Sequence, residues 1–486
     1  MGAIVDVVYN LIWNPVMIVF IIIVGVVFSF MTRFLQIRLI KDMVQQMFKG
    51  KSSQAGVSSF QAFAMALGNR VGTGNIAGVA TAIAYGGPGS VFWMWVIAFF
   101  GAATAYVEST LGQIYKTKQD GEYRGGPAYY IENGIGWRWF GIFFAVCTAF
   151  STAILMPGVQ ANAIASSILQ AFSVKKWITG LFVIVLLGFI IFGGLKRIAY
   201  TAQLIVPFMS VIYILVALII MIMNVEKIPE VFGLIFSSAF GANEVFGGIL
   251  GSAVSWGVQR GVYSNEAGQG SGPHHSSAAE VSHPAKQGLV QAFSVYIDTL
   301  LVCSATAFII LFSGTYNVYH PDQETIYIQN IDESVEVGPN YTQLAIDENL
   351  SGFGSPFIAI SLFLFAFTTI MAYYYMAEVN IAYLMRKRNK KLIMFFLKIF
   401  FLAATFYGTI REAQLAWKFG DIGVGLMVWI NLIAIVILFR PAIQALKDYE
   451  EQKKAGLDPV YNSTKLGVKN ADYWKDGYQG DNEEVS

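Results

Sequence analysis

Two glycine-rich stretches set within apolar segments are where this chain has the means to bind something. The first is Gly68-Asn69-Arg70-Val71-Gly72-Thr73-Gly74-Asn75-Ile76-Ala77-Gly78. Its four glycines in eleven residues each cost a helix interior about 1 kcal/mol against Ala, so the pattern predicts an interruption. An interruption away from water frees backbone N–H and C=O groups, which are tolerable only where they line a cavity or meet a ligand. A half-helix starting near Thr73 would aim free N–H groups and its positive dipole end at the break, which suits a carboxylate. The carbonyls around Gly68 to Val71 suit a hard cation such as sodium. The second stretch runs from Trp256-Gly257 through Arg260-Gly261 and Asn265-Glu266-Ala267-Gly268 to Gly270 and predicts a second break. Gly74 and Gly78 also have the spacing of a close helix contact, but packing alone does not explain two breaks in corresponding places. Gly72-x-Gly74 lacks the strand context of a dinucleotide loop.

The charged residues in apolar surroundings are fewer. Asp298 falls near the middle of its segment, where an acid is either functional or a hydrogen-bonding tie to a broken helix. Arg260 and Glu266, six positions apart, read as a structural or gating ion pair more readily than as substrate ligands. Trp256 either caps a pocket or packs, and Gln160 can bond a ligand or a neighbouring backbone. His274 and His275 are adjacent, point apart on a helix, and are expected in a solvated loop. Cys147 and Cys303 are expected to be inert core residues. The basic run 386–391 reads as a membrane-surface anchor.

The elements that hold these residues follow from composition. Of 486 residues, 55% are hydrophobic and 13% charged, against about 25% charged in a soluble domain, and the mean hydropathy is +0.55. Disorder is excluded, and two cysteines make no disulfide framework. Lys plus Arg (32) nearly cancel Asp plus Glu (31), so no basic field points to nucleic acid. The chain reads as an all-α polytopic protein whose surroundings are a lipid bilayer. With about 20 apolar residues per crossing, eleven spans emerge: 11–31, 58–85, 89–115, 139–169, 177–194, 199–223, 244–268, 286–313, 355–385, 392–410 and 421–440. Eighteen Lys/Arg in alternate connections face five in the others, which predicts the N-terminus outside and the C-terminus in the cytoplasm. With 11–31 as an added helix, 58–223 and 244–440 form two five-helix halves of opposite direction, each opening on a broken helix. That is an inverted repeat with a midplane site. Residues 1–440 are then the transmembrane domain, and 441–486 a polar cytoplasmic tail, loosely ordered beyond Tyr449.

The segments 68–78 and 260–271, with Val159-Gln160-Ala161-Asn162 and Tyr296-Ile297-Asp298-Thr299, resemble the alanine-or-glycine:cation symporter family over nearly the whole chain. The resemblance implies a sodium- or proton-driven importer of small neutral amino acids. Its fold would be the five-plus-five repeat of the bacterial leucine transporter with one extra N-terminal helix. Residues 68–75 are also similar, position by position, to the Gly-Asn-x-Val-Gly-x-Gly-Asn of neurotransmitter:sodium symporters. This implies that the N–H groups of Thr73 and Gly74, between Gly72 and Asn75, hold the substrate carboxylate; Gln160, and the second break with Trp256 and Gly257, are expected to complete the pocket. It implies a sodium at the carbonyls of Gly68 and Val71 and the hydroxyls of Thr368 and Thr369. A second sodium would use Asn75 and the carbonyl of residue 70, but Arg70 stands where those symporters carry a small residue, and its charge opposes a cation there. Asp298, Arg260 and Glu266 are left for coupling or gating. The stretch Leu155-Met156-Pro157-Gly158 before Val159 replaces the Gly-Asn-Met of many members, a variant associated with larger neutral substrates, glutamine included. No pore loop, catalytic dyad or nucleotide motif favours a channel, an intramembrane enzyme or an ATP-driven pump.

Overall fold

The computed structural model describes residues 2–241, 249–386, 391–411 and 413–478. Almost all of it is helix, with two short hairpins, Thr117–Gln119 with Glu122–Arg124 and Val318–Tyr319 with Ile326–Ile328. Among the described residues, eight helices are long and apolar enough to cross a membrane. Their outward faces carry large apolar side chains such as Leu11, Phe208, Ile222 and Phe396, as does the shorter helix Lys176–Ile191 with Val185 and Phe189, all well exposed. The interior holds many of the polar ones, among them Glu108, Asn265, Gln291 and Asp298. Water would not tolerate that outer surface, whereas hydrocarbon does. The chain is a multi-pass membrane protein.

Most expected spans coincide with helices, and the departures have local causes. Asn14 caps Pro15–Met31 by accepting from the Met17 N–H at 3.1 Å, which divides the first segment into two helices. The expected span 58–85 is two short helices, Ser59–Arg70 and Val79–Gly86, with a loosened π turn Gly74–Gly78 between them. Ser58 and Gln61 form a capping box that fixes where the first of these begins. The expected span 421–440 is part of one long helix, Ala413–Lys454. The helix Ile228–Ala239 was not foreseen. Residues 244–248 of the seventh expected span, most of the basic run (387–390) and the chain end 479–486 lie outside the described residues.

The connections gather at two ends of the bundle. One end carries the ion pairs Lys453–Asp42, Arg38–Glu450 and Arg386–Glu132. There, burial raises the Glu132 carboxyl, but its bonds to Arg386 and Tyr383 outweigh this and hold it below the usual carboxylate range. The segment after Lys454 lies at the same end. It is not a loose tail: Tyr461 and Trp474 are fully buried. Seven of its aromatic and aliphatic side chains join or pack on the core, and that supplies the burial a polar composition seemed to lack. The opposite end is closed by Asn224–Asn349 (2.7 Å) and by Tyr85 against Tyr319.

Candidate functional site

The helix Ser59–Arg70 stops at Val71, whose ψ of 89° leaves the helical region. The carbonyls of Gly68 and Val71 then lack the intrahelical partners they would otherwise have. The Thr369 hydroxyl, from the helix Gly354–Leu384, stands in that gap: it is 3.0 Å from the Gly68 oxygen, 3.4 Å from the Val71 oxygen and 3.1 Å from the Phe365 oxygen of its own helix. Thr368 lies beside Gly68, but its hydroxyl bonds the Leu364 and Phe365 carbonyls of its own helix. On the other side of the break, the Thr73 N–H donates to Gln160 Oε1 at 3.1 Å, and the Gly72 N–H to Asn75 Oδ1 at 2.9 Å. Gly72 is where the space is tightest. A Cβ there would sit 2.6 Å from the Thr369 hydroxyl and 3.0 Å from Gln160 Oε1. Gly74 packs on Tyr263, which would lie 3.1 Å from an added Cβ.

The second break is not where the glycines of 256–261 suggested. The helix Leu250–Asn265 runs unbroken through Trp256, Gly257 and Gly261. Those glycines are contact points. A Cβ on Gly257 would meet the Ser90 oxygen and Trp93 Cβ at 2.6 Å, and one on Gly261 would meet Ile97 at 2.4 Å. The expectation that Gly257 lies in an unwound segment is therefore corrected, and close packing is the reason. Trp256 turns its ring toward Tyr85 (5.1 Å) and the Arg260 guanidinium (5.1 Å). The helix ends at Glu266, which takes a left-handed φ of +56°, and Gly268 and Gly270 follow at +86° and +83°. A short helix, Gly272–Ser277, resumes. The freed N–H groups of Gly268 and Gly270 donate to the Glu108 carboxylate at 3.3 and 3.0 Å, which also accepts from Asn431 at 2.8 Å.

The charged residues pair differently from the expectation as well. Arg260 and Glu266 do not pair. Arg260 forms a bidentate pair with Asp421 at 3.0 and 2.9 Å, because its position on the helix faces Ala413–Lys454 while Glu266 turns off the helix end. The Arg260–Asp421 pair is enclosed by Trp256, Tyr263 and Trp417. Glu266 accepts from Asn69 at 2.5 Å and Ser271 at 2.7 Å, which ties the two breaks together. Asp298 accepts from Asn75 (2.7 Å), Ser264 (2.9 Å) and Thr299 (2.8 Å). Arg70 reaches Gln291 and Ser294, and a Cβ on Gly272 would lie 3.2 Å from its Nη2. Both faces of the Asn75 amide are thus engaged, one by Gly72 and one by Asp298.

One unwound segment thus presents an amide that suits an anion on one side and a pair of carbonyls that suits a cation on the other. The profile described as "Sodium:alanine symporter family" matches residues 1–463. The chain belongs to the sodium:alanine symporter family. YrbD of Bacillus subtilis (strain 168) is 63% identical over 474 residues, 98% of each chain. A sodium/proton-dependent alanine carrier protein of Bacillus sp. (strain PS3) is 58% identical, over 90% of this chain and 98% of that one. In fold, this symporter is similar to a solved manganese transporter of Eremococcus coleocola, with TM-score 0.52 and 13% identity over 87% of this chain and 94% of that one. The family and these relatives are transporters, not enzymes.

Of the expected site residues, the symporter brings Gly68, Val71, Gly72, Thr73, Asn75, Gln160 and Thr369 together around the first break. It places Asp298 against Asn75, Arg260 on Asp421, and Glu266 on Asn69. Gly257 stands apart on the Ser90–Trp93 contact. His274 and His275 are buried, not solvated, and His274 Nε2 meets the Asn380 amide at 2.8 Å. The reason is that the chain re-enters the bundle at Gly272. Cys303 lies in the core 3.3 Å from Asn75 Nδ2. Sequence reasoning missed Glu108, Tyr263, Asp421 and Asn431. Glu108 and Asp421 carried a usable signal, since each is a carboxylate at the edge of an apolar run.

Proposed function

We propose that this chain is a sodium-coupled symporter importing small neutral amino acids by alternating access at the first break. The supporting observation is the Thr369 hydroxyl held between the carbonyls of Gly68 and Val71, 3.0 and 3.4 Å away. A sodium ion bound there would take those oxygens as ligands, joined by the hydroxyl of Thr368 after a rotamer change. The substrate carboxylate would take the N–H groups of Thr73 and Gly74, displacing the Gln160 oxygen. Gln160 is then free to turn toward the substrate, and Tyr263 and Trp256 cover the pocket from outside. Among the described residues, Arg260 is already paired with Asp421, and Glu266 and Asp298 are held by neighbouring donors, so a charged substrate side chain would lack a free partner among them, at a cost of several kcal/mol. Alanine, glycine and, given the stretch 155–158, glutamine fit this reading. The architecture behind it is eleven membrane helices, one added and two inverted sets of five. The N-terminus is outside and the end carrying Lys453 and Trp474 is cytoplasmic.

A second reading is proton coupling. It draws on the name of the strain PS3 relative and on the three buried carboxylates Glu108, Glu266 and Asp298 near the single guanidinium of Arg70. Uptake of labelled alanine into proteoliposomes decides between them. A sodium gradient at equal pH should drive accumulation, and a proton gradient without sodium should not. Accumulation under the proton gradient alone would remove the sodium reading. Lysine or glutamate competing as well as alanine would remove the neutral pocket.

A further inference from the structure

After Lys454 the chain turns at Gly456, whose φ is +78°, and runs back across the end of the bundle. Its grip is concentrated on the segment that follows the second break. Asp458 pairs with Lys286 at 2.7 Å. The Pro459 carbonyl accepts from the Ser282 hydroxyl at 2.9 Å, and the Tyr461 N–H donates to the Ser282 carbonyl at 2.9 Å. Farther along, Trp474 is fully buried and donates its indole N–H to the Gln113 carbonyl at 2.8 Å. Tyr473 donates to the Tyr123 hydroxyl at 2.9 Å. The Lys116 ammonium lies over the rings of Tyr123, Tyr473 and Trp474, at 4.3, 4.5 and 5.1 Å. Asn470 donates to the Asn133 carbonyl at 2.9 Å.

These contacts bear on the two broken helices together. Val57, just ahead of Ser59–Arg70, exchanges backbone bonds of 2.9 Å with Ala278 and Glu280, just after Gly272–Ser277. A route from the first break to this end of the bundle would pass between those two short helices. Their near ends are tied to each other at Val57. The strap ties the same linker, four residues on at Ser282, to the end of Gly89–Ile114 and to the hairpin 117–124. Opening such a route requires the linker 278–283 to move, and it cannot move far while Ser282, Gln113 and Asn133 all hold one segment.

We propose that residues 455–478 are a latch that keeps the cytoplasmic route closed, and that releasing Ser282 from this segment is a step of each transport cycle. The proposal rests on the alternating-access reading above. Conformational release commonly limits turnover in such cycles, so fastening the latch should slow transport without touching the binding site.

The test uses the full chain in proteoliposomes. In an S282C/V460C variant, a short bis-methanethiosulfonate reagent bridges the two thiols and a reductant reverses the bridge. Bridging should cut alanine uptake to below about a tenth, and reduction should restore it. The same molecules are measured in both states, so a folding defect cannot imitate the result. Uptake by the bridged protein at the reduced rate, with the bridge verified by mass spectrometry, would overturn the latch. So would equal inhibition of S282C alone by the reagent, since modification at that position would then suffice. A parent chain showing no alanine uptake under any gradient removes the transport reading, and the latch falls with it. A working parent whose bridged variant is unaffected removes the latch alone.

Discussion

The two interruptions differ in what holds them open. Around the first, the freed carbonyls of Gly68 and Val71 meet a hydroxyl, and the freed N–H of Thr73 meets a carboxamide. Around the second, the N–H groups of Gly268 and Gly270 meet the Glu108 carboxylate, and Glu266 is itself held by Asn69 and Ser271. Glu108 holds three donors at once, and displacing it would leave all three unpaired. A sodium ion or an amino acid can displace a hydroxyl or an amide from backbone groups at little loss. It cannot as readily displace a buried carboxylate that holds three donors. On the reading proposed above, the first break is the exchangeable one, and the second is a fixed turn that positions Ser264 and Glu266 beside it.

The sharpest way to break this comparison is to remove the fixed side. Glu108→Ala leaves the N–H groups of Gly268 and Gly270 and the Asn431 amide unpaired, and each buried donor so left costs about 1–3 kcal/mol. This should be the least stable variant of the series, read as a thermal unfolding midpoint in detergent lowered by well over about 5 °C. A midpoint within about 1–2 °C of the parent would show that Glu108 does not hold the turn. Gly72→Leu attacks the exchangeable side. Its side chain would begin 2.6 Å from the Thr369 hydroxyl and fill the space the substrate carboxylate needs. Alanine binding should fall by at least about a hundredfold in a monodisperse protein. Binding within a few-fold of the parent would move the site away from this break.

The first break was legible because Gly72 and Gly74 fall at the unwound turn itself, while Gly68 lies in the helix just before it, against Val206 and Thr368. The second was misplaced because Gly257 and Gly261 look the same in sequence as Gly268 and Gly270. A glycine that lets two helices touch and one that allows a left-handed φ differ only in their surroundings, and those surroundings are distant residues. Arg260 shows the same limit for charge. Its nearest acid in sequence was Glu266, but its partner Asp421 is 161 positions away. The ordered strap after Lys454 was hidden by its polar composition, although Tyr461, Tyr473 and Trp474 were the aromatic residues that signalled burial.

The two threonines sharpen the comparison within the first break. Thr369→Val keeps the shape and removes the oxygen that meets both carbonyls. The sodium concentration for half-maximal uptake should rise by about 10- to 100-fold, or about 1.4–2.8 kcal/mol. The Thr368 hydroxyl bonds carbonyls of its own helix, whereas that of Thr369 also reaches Gly68 and Val71, so the shift for Thr368→Val should be smaller. The reverse order would assign the cation to the other side of Gly68.

The smallest effect on function is expected at Gly257. An added methyl there meets Ser90 and Trp93 at 2.6 Å, so the helices Leu250–Asn265 and Gly89–Ile114 must separate slightly. Overpacking of this kind costs about 1–3 kcal/mol. Gly257→Ala should therefore lower the unfolding midpoint. Its alanine and sodium affinities should stay within about twofold of the parent, because the nearest freed backbone group of the second break is more than two helical turns further along the chain. Packing and binding make opposite predictions here. If Gly257 belonged to the exchangeable part of the site, its methyl would cost affinity before stability. A variant that melts like the parent but binds alanine ten times more weakly, about 1.4 kcal/mol, would extend the working site up this helix. The distinction between an exchangeable first break and a fixed second one would then have to be given up.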